Sequence, residues 1–231
     1  MKLEILADPE AVARAAAAFI AAEARAAVAA RRCFLLAVSG GQTPWQMLRL
    51  LAREEVPWGG VHVFQVDERL APAGHPDRNL THLRESLGQA SLSSDQLHAM
   101  PVEAEDLTAA VARYAGTLQE FAGFPPVLDL VHLGLGPDGH TASLVPGDAV
   151  LDVTDADVAL TGIYQGRRRM TLTYPVLNRA RRILWLVTGS EKAGMLVRLC
   201  AGDRSIPAGR VSQGQALVLA DQAAASLLGS G

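Results

Sequence analysis

Residues 129–147 read DLVHLGLGPDGHTASLVPG, and this stretch decides the fold that we predict. It begins with a short apolar run bounded by turn residues, which is typical of a buried parallel strand. Open α/β sheets bind their ligands at the carboxyl ends of such strands. The glycines let the backbone approach a ligand closely, and Asp138 and His140, two residues apart, can act on one bound group. The stretch therefore predicts a parallel sheet and, at its edge, a histidine suited to proton transfer near neutral pH.

Three glycines of this stretch, Gly134, Gly136 and Gly139, match the GxGxxG fingerprint of dinucleotide-binding proteins. That fingerprint requires a long helix to begin inside it and an acidic residue about 20 positions later on the next strand. Here Pro146 and Gly147 would end any helix early, and the acids that follow lie scattered through a loop-like stretch. We therefore disfavour a nicotinamide site and predict that the protein uses no cofactor.

The rest of the chain alternates apolar strands with helical segments, a pattern that favours parallel pairing and right-handed crossovers. Strands are predicted at residues 2–6, 33–38, 61–66, 129–133, 183–187 and 216–219. Helices are predicted at residues 9–31, from 43, at 79–87, 107–121 and 190–200, and after Asp221, which caps the last of them. We therefore predict the α/β class, with one Rossmann-like domain over residues 1–231, a mostly parallel sheet and helices on both faces.

Composition narrows the class of protein further. Hydrophobic residues make up 49% of the chain, which fits a compact fold with a large core. No apolar segment approaches the ~20 residues of a membrane span, and the N-terminus lacks the pattern of a secretory signal. We therefore predict a cytoplasmic enzyme that is a monomer or a weak homo-oligomer and binds no membrane. The net charge of -3 argues against a nucleic-acid partner.

The histidines and cysteines outside residues 129–147 give no sign of a metal site. We expect Cys33 and Cys200 to be buried small hydrophobes rather than a disulfide pair or metal ligands. His62, His75, His82 and His98 show no metal-ligand spacing, and we expect His132, inside that stretch, to be a hydrogen-bonded strand residue rather than a ligand. We therefore predict that the protein binds no metal.

A glycine turn follows the second predicted strand, where residues 39–44 read SGGQTP and lead into a helix. Its backbone N–H groups and hydroxyls suit a phosphate at the helix N-terminus. The alternative is a tight structural turn in which Thr43 caps the helix. We favour phosphate binding because helix N-termini attract anions, and the residues concerned are Ser39, Gly40, Gly41 and Thr43.

Charged residues mark two further places where the predicted strands end. Asp67 and Arg69 follow the apolar strand 61–66 directly, which fits either a solvated strand end or a site. Within the basic run 167–169, Arg169 is the member that we expect to reach an anion, while its neighbours are solvated. Because these clusters fall at the ends of neighbouring strands, we interpret them as parts of one pocket.

Lys192 is unusual in this chain because only two of the 21 basic residues are lysine, the other being Lys2. It lies in the first turn of the helix that follows Thr188-Gly189. A cation there is unfavourable with respect to the helix macrodipole, so we predict that Lys192 directs a compact charge at a phosphate. The alternative is an exposed lysine at a frayed helix start.

These clusters, in this order, resemble the 6-phosphogluconolactonase family, whose relatives include glucosamine-6-phosphate deaminases. The resemblance covers nearly the whole chain, and the run from Asp138 to Leu144 is its most specific part. The other matching segments are Ser39-Gly40-Gly41 with Thr43-Pro44, Asp67-Glu68-Arg69, residues 134–147, residues 169–177, and Gly189 with Lys192.

The resemblance implies metal-free hydrolysis of 6-phosphoglucono-1,5-lactone, a small sugar-phosphate lactone, in the second step of the oxidative pentose phosphate pathway. His140 would take a proton from the water that attacks the lactone carbonyl, and either Asp138 or Asp67 would orient the imidazole or the water. Arg69 would lie near the sugar or the developing oxyanion. The 6-phosphate would be held by Ser39, Gly40, Gly41, Thr43, Arg169 and Lys192.

Two other functions are weighed against lactone hydrolysis. The related deaminases carry an aromatic residue, an Asn and a catalytic Glu after the corresponding histidine, whereas this chain has Thr-Ala-Ser-Leu-Val at 141–145. A sugar-phosphate sensor would need an output module, and no helix-turn-helix or basic face is evident.

The chain also departs from the family pattern at two positions, since relatives usually have Ser where Arg78 stands and often Phe where Val145 stands. Arg78 makes the substrate contacts of the loop around it uncertain, and Val145 predicts a change in packing.

Overall fold

The computed structural model describes residues 1–229, and it confirms the predicted α/β class. Its strands are β1 (Lys2–Leu6), β2 (Phe34–Val38), β3 (Val61–Gln65), β4 (Asp67–Arg69), β5 (Leu97–His98), β6 (Leu130–Gly134), β7 (Val158–Leu160), β8 (Arg169–Leu172), β9 (Arg182–Val187) and β10 (Ala216–Asp221). Its α-helices are α1 (Pro9–Arg31), α2 (Gln42–Leu51), α3 (Asn79–Ser86), α4 (Leu107–Ala122), α5 (Tyr174–Arg179) and α6 (Ala193–Cys200).

Seven strands form the main sheet, in the order β1-β10-β9-β6-β2-β3-β5, and each neighbouring pair is parallel. From β2 the chain builds outward through β3 and β5, and it then returns to place β6 on the other side of β2. The order therefore reverses between β2 and β6. Ligands of open α/β sheets bind in the crevice that such a reversal creates at the carboxyl ends of the strands.

Helices cover both faces of the main sheet, as predicted. Strand side chains alternate between the faces, so that in β2 Leu36 packs with α1, α2 and α3 while Ala37 packs with α4, α5 and α6. Both faces of β2 and β6 are covered, so β2 is apolar on both faces and β6 is apolar except for the buried His132. The second face also carries a smaller antiparallel sheet of order β4-β8-β7.

Helix α1 illustrates how local sequence sets an element. The Asp8 carboxylate accepts a hydrogen bond from Ala11 N–H at 2.8 Å, and Pro9 occupies the first turn. An apolar stripe that recurs every three to four residues from Val12 to Ala27 is buried against the sheet. The helix ends at Arg32, whose φ of 64° lies in the left-handed region.

Two details of the predicted elements are wrong, and a small sheet is absent from the prediction. Residues after Asp221 form hydrogen-bonded turns rather than a helix, although Asp221 does accept a bond from Ala224 N–H at 2.7 Å. Most later bonds in that segment join residues three apart, so no regular α-helix propagates. The helix predicted over 190–200 begins with a 3₁₀ turn, Ser190–Lys192, before α6. The small antiparallel sheet was not predicted, because its strands have only three or four residues.

Two further observations concern the whole described chain. Cys33 and Cys200 are free and half-buried, and burial raises the pKa of both thiols. Among residues 1–229, no helix combines the length and the apolar character needed to cross a bilayer.

Candidate active site

A cleft of ≈ 380 Å³ opens at the carboxyl edge of the main sheet, at the reversal of strand order between β2 and β6. The segments that follow β2, β3, β6 and β9 all contribute to it. Apart from Asp138, every predicted site residue lines this cleft: Ser39, Gly40, Gly41, Thr43, Asp67, Arg69, His140, Arg169 and Lys192. The sequence clusters thus converge, as parallel topology requires.

His140 and Asp138 form a hydrogen-bonded pair in the loop after β6. Asp138 Oδ1 lies 2.6 Å from His140 Nδ1 and 3.1 Å from the His140 backbone nitrogen. Because a carboxylate only accepts, Nδ1 carries the proton, and Nε2 is the ring nitrogen that can accept a proton. Burial raises the pKa of Asp138, but the hydrogen bonds and charge of His140 and the hydrogen bond of Tyr164 outweigh it, and the net pKa lies below its usual range. The acid therefore stays ionised beside the imidazole.

The turn around Gly136 sets the position of this imidazole. Gly136 N–H donates to His140 O at 2.8 Å, and Gly139, with a φ of 82°, donates to Gly136 O at 3.0 Å. A Cβ at position 136 would lie 2.1 Å from His140 Nδ1 and 2.7 Å from Asp138 Oδ1. The hydrogen-bonded pair of Asp138 and His140 therefore requires that residue 136 has no side chain.

Asp67 lies in the same cleft but contacts other groups. Its Oδ2 accepts a hydrogen bond from Ser143 Oγ at 2.6 Å, and its backbone oxygen accepts one from Asn79 Nδ2 at 2.9 Å. Of the two acids considered from the sequence, Asp138 is thus the one that contacts His140. Asp67 is 4% exposed, and it instead contributes a buried negative charge next to the cations of the cleft.

Two arginines face each other across the small antiparallel sheet. Arg69 of β4 pairs directly with Arg169 of β8, and both line the cleft. Arg169 is 4% exposed, and its Nε has no hydrogen-bond partner among residues 1–229. Burial and the neighbouring charge of Arg69 lower the pKa of Arg169. The pair is a concentrated positive charge that an anion would stabilise.

The glycine turn after β2 forms another wall of the cleft. Gly41 has a φ of 135° and α2 begins at the next residue, so the N-terminus of the helix opens into the cleft. No side chain caps α2; instead the hydroxyls of Thr43 and Thr188 hydrogen-bond each other at 2.8 Å. Ser39 Oγ is buried and has no partner in the described part of the chain. These groups are positioned for an oxyanion, and the capping alternative for Thr43 is wrong.

Lys192 reaches the cleft from the 3₁₀ turn after β9. Its side chain is 20% exposed, and its nearest acidic atom is Glu191 Oε1, 3.9 Å from Nζ. That distance leaves the ammonium weakly paired. Together with Arg69 and Arg169, it gives the cleft three cations.

Arg78, which stands where relatives usually have Ser, does not line the cleft. Its Nε lies 3.1 Å from Glu68 Oε2, and its Nη1 donates to Ala71 O at 2.8 Å. Glu68, fully buried, also accepts from the backbone N–H of Asn79 at 2.8 Å. Arg78 therefore neutralises a buried acid that holds the loop, and Asn79 is the residue of that loop which lines the cleft.

Sequence reasoning missed several residues of the site. Asn79 accepts from Arg69 Nη1 at 2.5 Å, and Tyr164 donates to Asp138 Oδ2 at 3.1 Å. Asn79 is the first residue of α3 and Tyr164 lies in the turn between β7 and β8, so neither directly follows a strand of the main sheet. In the range 1–229 no three His, Cys, Asp or Glu side chains are grouped as a metal site would require.

Comparison with known proteins places this geometry in context. A family model described as "Glucosamine-6-phosphate isomerases/6-phosphogluconolactonase" matches residues 7–219. The chain is 38% identical over 207 residues to a 6-phosphogluconolactonase from Synechocystis sp., covering 86% of each chain. It is 35% identical over 243 residues to a 6-phosphogluconolactonase from Mycobacterium tuberculosis, covering 99% of this chain and 98% of the relative.

A solved structure agrees with these sequence relatives. The crystal structure of 6-phosphogluconolactonase from Thermotoga maritima superposes with a TM-score of 0.84 at 26% identity, covering 95% of this chain and 98% of the other.

Proposed function

The chain belongs to the family of glucosamine-6-phosphate isomerases and 6-phosphogluconolactonases, and from this premise we propose that it hydrolyses 6-phospho-D-glucono-1,5-lactone to 6-phospho-D-gluconate. The enzyme is then a carboxylic ester hydrolase of the oxidative pentose phosphate pathway. The observation that carries the proposal is that one cleft is lined by three cations and by His140, whose Nδ1 is hydrogen-bonded to Asp138 behind it. Such a cleft suits a substrate with a phosphate and a carbonyl that water must attack.

The 6-phosphate binds among the cations and the glycine turn. Arg169 and Lys192 supply the positive charge, and the N-terminus of α2 supplies backbone N–H groups. The Ser39 and Thr43 hydroxyls add hydrogen bonds. Anchoring the phosphate fixes the lactone ring relative to His140, and such positioning lowers the barrier by several kcal/mol, at most about 7–11.

His140 acts as general base. Its Nε2 takes a proton from a water molecule as the water oxygen bonds to lactone C1, while the Nδ1–H bond to Asp138 stabilises the imidazolium that forms. The tetrahedral intermediate then collapses by breaking the bond from C1 to the ring oxygen, which takes a proton from the imidazolium. The product is a carboxylic acid and a free hydroxyl. General-base assistance of this kind contributes about 10²–10⁴-fold.

Arg69 and Asp67 have separate roles in the proposed mechanism. Arg69, held by Asn79 at 2.5 Å, is available to the oxyanion that develops on the carbonyl oxygen. Asp67 holds Ser143 and lies close enough to Arg169 to favour its charged form. In this proposal Asp67 organises the cations, and Asp138 orients the base.

The test is hydrolysis of freshly prepared lactone, followed in a pH-stat as acid release and corrected for spontaneous opening. Wild-type protein should accelerate the release, and His140→Ala should lose at least about 100-fold in kcat while still binding 6-phosphogluconate. His82→Ala, which removes a histidine outside the cleft, is the matched control and should keep its activity. Release of ammonia from glucosamine 6-phosphate without lactone turnover would instead support the deaminase alternative.

Several expectations from the sequence stay predictions. They are the single domain over residues 1–231, the cytoplasmic location, the monomeric or weakly associated state, and the lack of cofactor, metal and nucleic-acid partners. Light scattering on the purified protein tests the association state. A mass above that of the 24.4 kDa chain at micromolar concentration would contradict a monomer.

A further inference from the structure

Tyr164 lies in a tight hairpin between β7 and β8, beside the cleft. Its backbone N–H donates to Arg167 O at 3.0 Å, and Arg167 N–H donates back to Tyr164 O at 3.2 Å. The two residues between them have positive φ, 51° at Gln165 and 78° at Gly166, which is the geometry of a two-residue type I′ hairpin turn. The turn fixes the backbone position from which the Tyr164 side chain extends.

The opposite side of this hairpin is also fixed. Arg167 Nε donates to Asp77 Oδ2 at 2.7 Å, and Arg167 Nη2 lies 3.3 Å from His75 Nε2. Both partners belong to the loop between β4 and α3. Tyr164 is therefore held from both sides and is well placed to hold other residues in turn.

The tyrosine contacts two functional parts of the cleft at once. Its hydroxyl donates to Asp138 Oδ2 at 3.1 Å, and its ring meets the His140 ring edge-on with centroids 5.5 Å apart. The guanidinium carbon of Arg169 lies 4.9 Å from the centroid of the same ring. From these contacts we propose that Tyr164 is a positioning residue, whose hydroxyl orients Asp138 and whose ring orients Arg169.

The Asp138 carboxylate needs such a second anchor. Its side chain is 36% exposed, and one oxygen alone contacts His140, so without Tyr164 the carboxylate could rotate about its terminal bond. Burial and the bond to Asp138 raise the pKa of Tyr164, so the hydroxyl keeps its proton and remains a donor. Tyr164 thereby stabilises the orientation in which Asp138 Oδ1 meets the imidazole.

The ring acts on the anion-binding side. A cation held over an aromatic face is attracted by the ring quadrupole, and the adjacent Gln165 Oε1 accepts from Arg169 Nη2 at 3.2 Å. Two consecutive residues thus hold one guanidinium beside the like charge of Arg69. Phosphate binding and base orientation are joined through Tyr164.

Paired substitutions separate the hydroxyl from the ring. Tyr164→Phe keeps the ring, so KM should stay within about twofold while kcat falls about tenfold, the range expected for losing a hydrogen bond to a charged group. Tyr164→Leu removes both, so KM should also rise about fivefold. Tyr174→Phe is the matched control, because its hydroxyl donates to Pro207 O at 2.9 Å outside the cleft, and it should change neither quantity.

The distinguishing readout is the titration of His140, followed by NMR of its ring protons and assigned with His140→Ala. The charged groups around the Tyr164–Asp138 bond are His140, Arg169 and, beyond it, Arg69. Without the hydrogen bond from Tyr164, the negative charge of Asp138 is less stabilised, so the carboxylate attracts the protonated imidazole of His140 more strongly. The titration midpoint and the acid limb of kcat/KM should therefore move to higher pH in Tyr164→Phe.

The kinetic part rests on the proposed lactone hydrolysis, whereas the NMR titration does not. A midpoint that moves in a protein without lactone turnover would overturn the proposed function and support the role of Tyr164. Conversely, normal turnover in wild type, with Tyr164→Phe unchanged in kcat and in the midpoint, would overturn the role of Tyr164. A merely structural tyrosine would lower thermal stability without moving the midpoint.

Discussion

Gly136→Ala tests the arrangement of the proposed catalytic pair, Asp138 and His140, with a single methyl group. The new Cβ would lie 2.1 Å from His140 Nδ1 and 2.7 Å from Asp138 Oδ1. Heavy atoms in contact are normally ~3.5 Å apart, so the imidazole must move by roughly 1 Å or more. That displacement would break the 2.6 Å hydrogen bond between Asp138 and His140. The substitution therefore removes the orientation of the base while leaving its chemistry intact.

The expected loss follows from this displacement. A misplacement of about 1 Å at a reacting group can cost 10²-fold in rate, so kcat should fall about 100-fold, equivalent to about 2.7 kcal/mol of transition-state stabilisation. The residues that we propose to bind the phosphate lie on other elements, so affinity for 6-phosphogluconate should change little. The loss should thus appear in kcat rather than in KM.

The assay is lactone hydrolysis in a pH-stat, with product affinity from calorimetry and folding from circular dichroism. Gly116→Ala is the matched control, because it is the same chemical change in the middle of α4 with no atom within 4 Å of the new Cβ. It should keep full activity and gain up to about 1 kcal/mol of stability. A folded Gly136→Ala protein with near-normal kcat would refute the role assigned to the Asp138–His140 bond.

Three further predictions concern Lys192, the buried His132 and the expectation that no metal takes part. Lys192→Arg should lose at least about tenfold in kcat/KM, about 1.4 kcal/mol, because the wider guanidinium displaces the phosphate; unchanged kinetics would remove Lys192 from the site. Burial lowers the pKa of His132 from 6.5 to about 3, so the unfolded chain takes up a proton first as the pH falls. Its contribution to stability is complete above pH 6.5 and decreases toward pH 3 by about 1.4 kcal/mol per unit. Urea unfolding at pH 7.5 and 5.5 should show a smaller difference in His132→Asn, and equal differences would contradict this. Dialysis against a chelator should not change activity, and a loss restored by Zn²⁺ would contradict a metal-free mechanism.

The parts of the site that the sequence predicts are those whose signal is local. Asp138 and His140 are two residues apart, and the loop that holds them follows an apolar strand directly. The glycine turn at 39–41 likewise follows β2. In a parallel sheet, each such strand end reaches the same edge, so convergence needs no knowledge of distant contacts.

The parts that the sequence misses depend on distant partners. Ser143 Oγ meets Asp67 across 76 positions, and nothing near either residue signals the contact. This contact engages Asp67 away from His140, whose partner is Asp138. Tyr164 reaches Asp138 only because a three-residue strand and a tight turn direct it there. Short strands carry too few side chains for a reliable alternation pattern.

The pairing of Arg69 with Arg169 shows why a protein keeps an unfavourable contact. Like charges directly opposite each other destabilise an antiparallel pair, and here burial and Arg69 lower the pKa of Arg169. The buried carboxylate of Asp67 offsets part of this repulsion. In the proposed mechanism, the 6-phosphate bound at Arg169 would offset this repulsion, so ligand binding and the stability of the small sheet are linked. We therefore attribute the pairing of these two cations in the small sheet to the proposed substrate binding rather than to the stability of the fold.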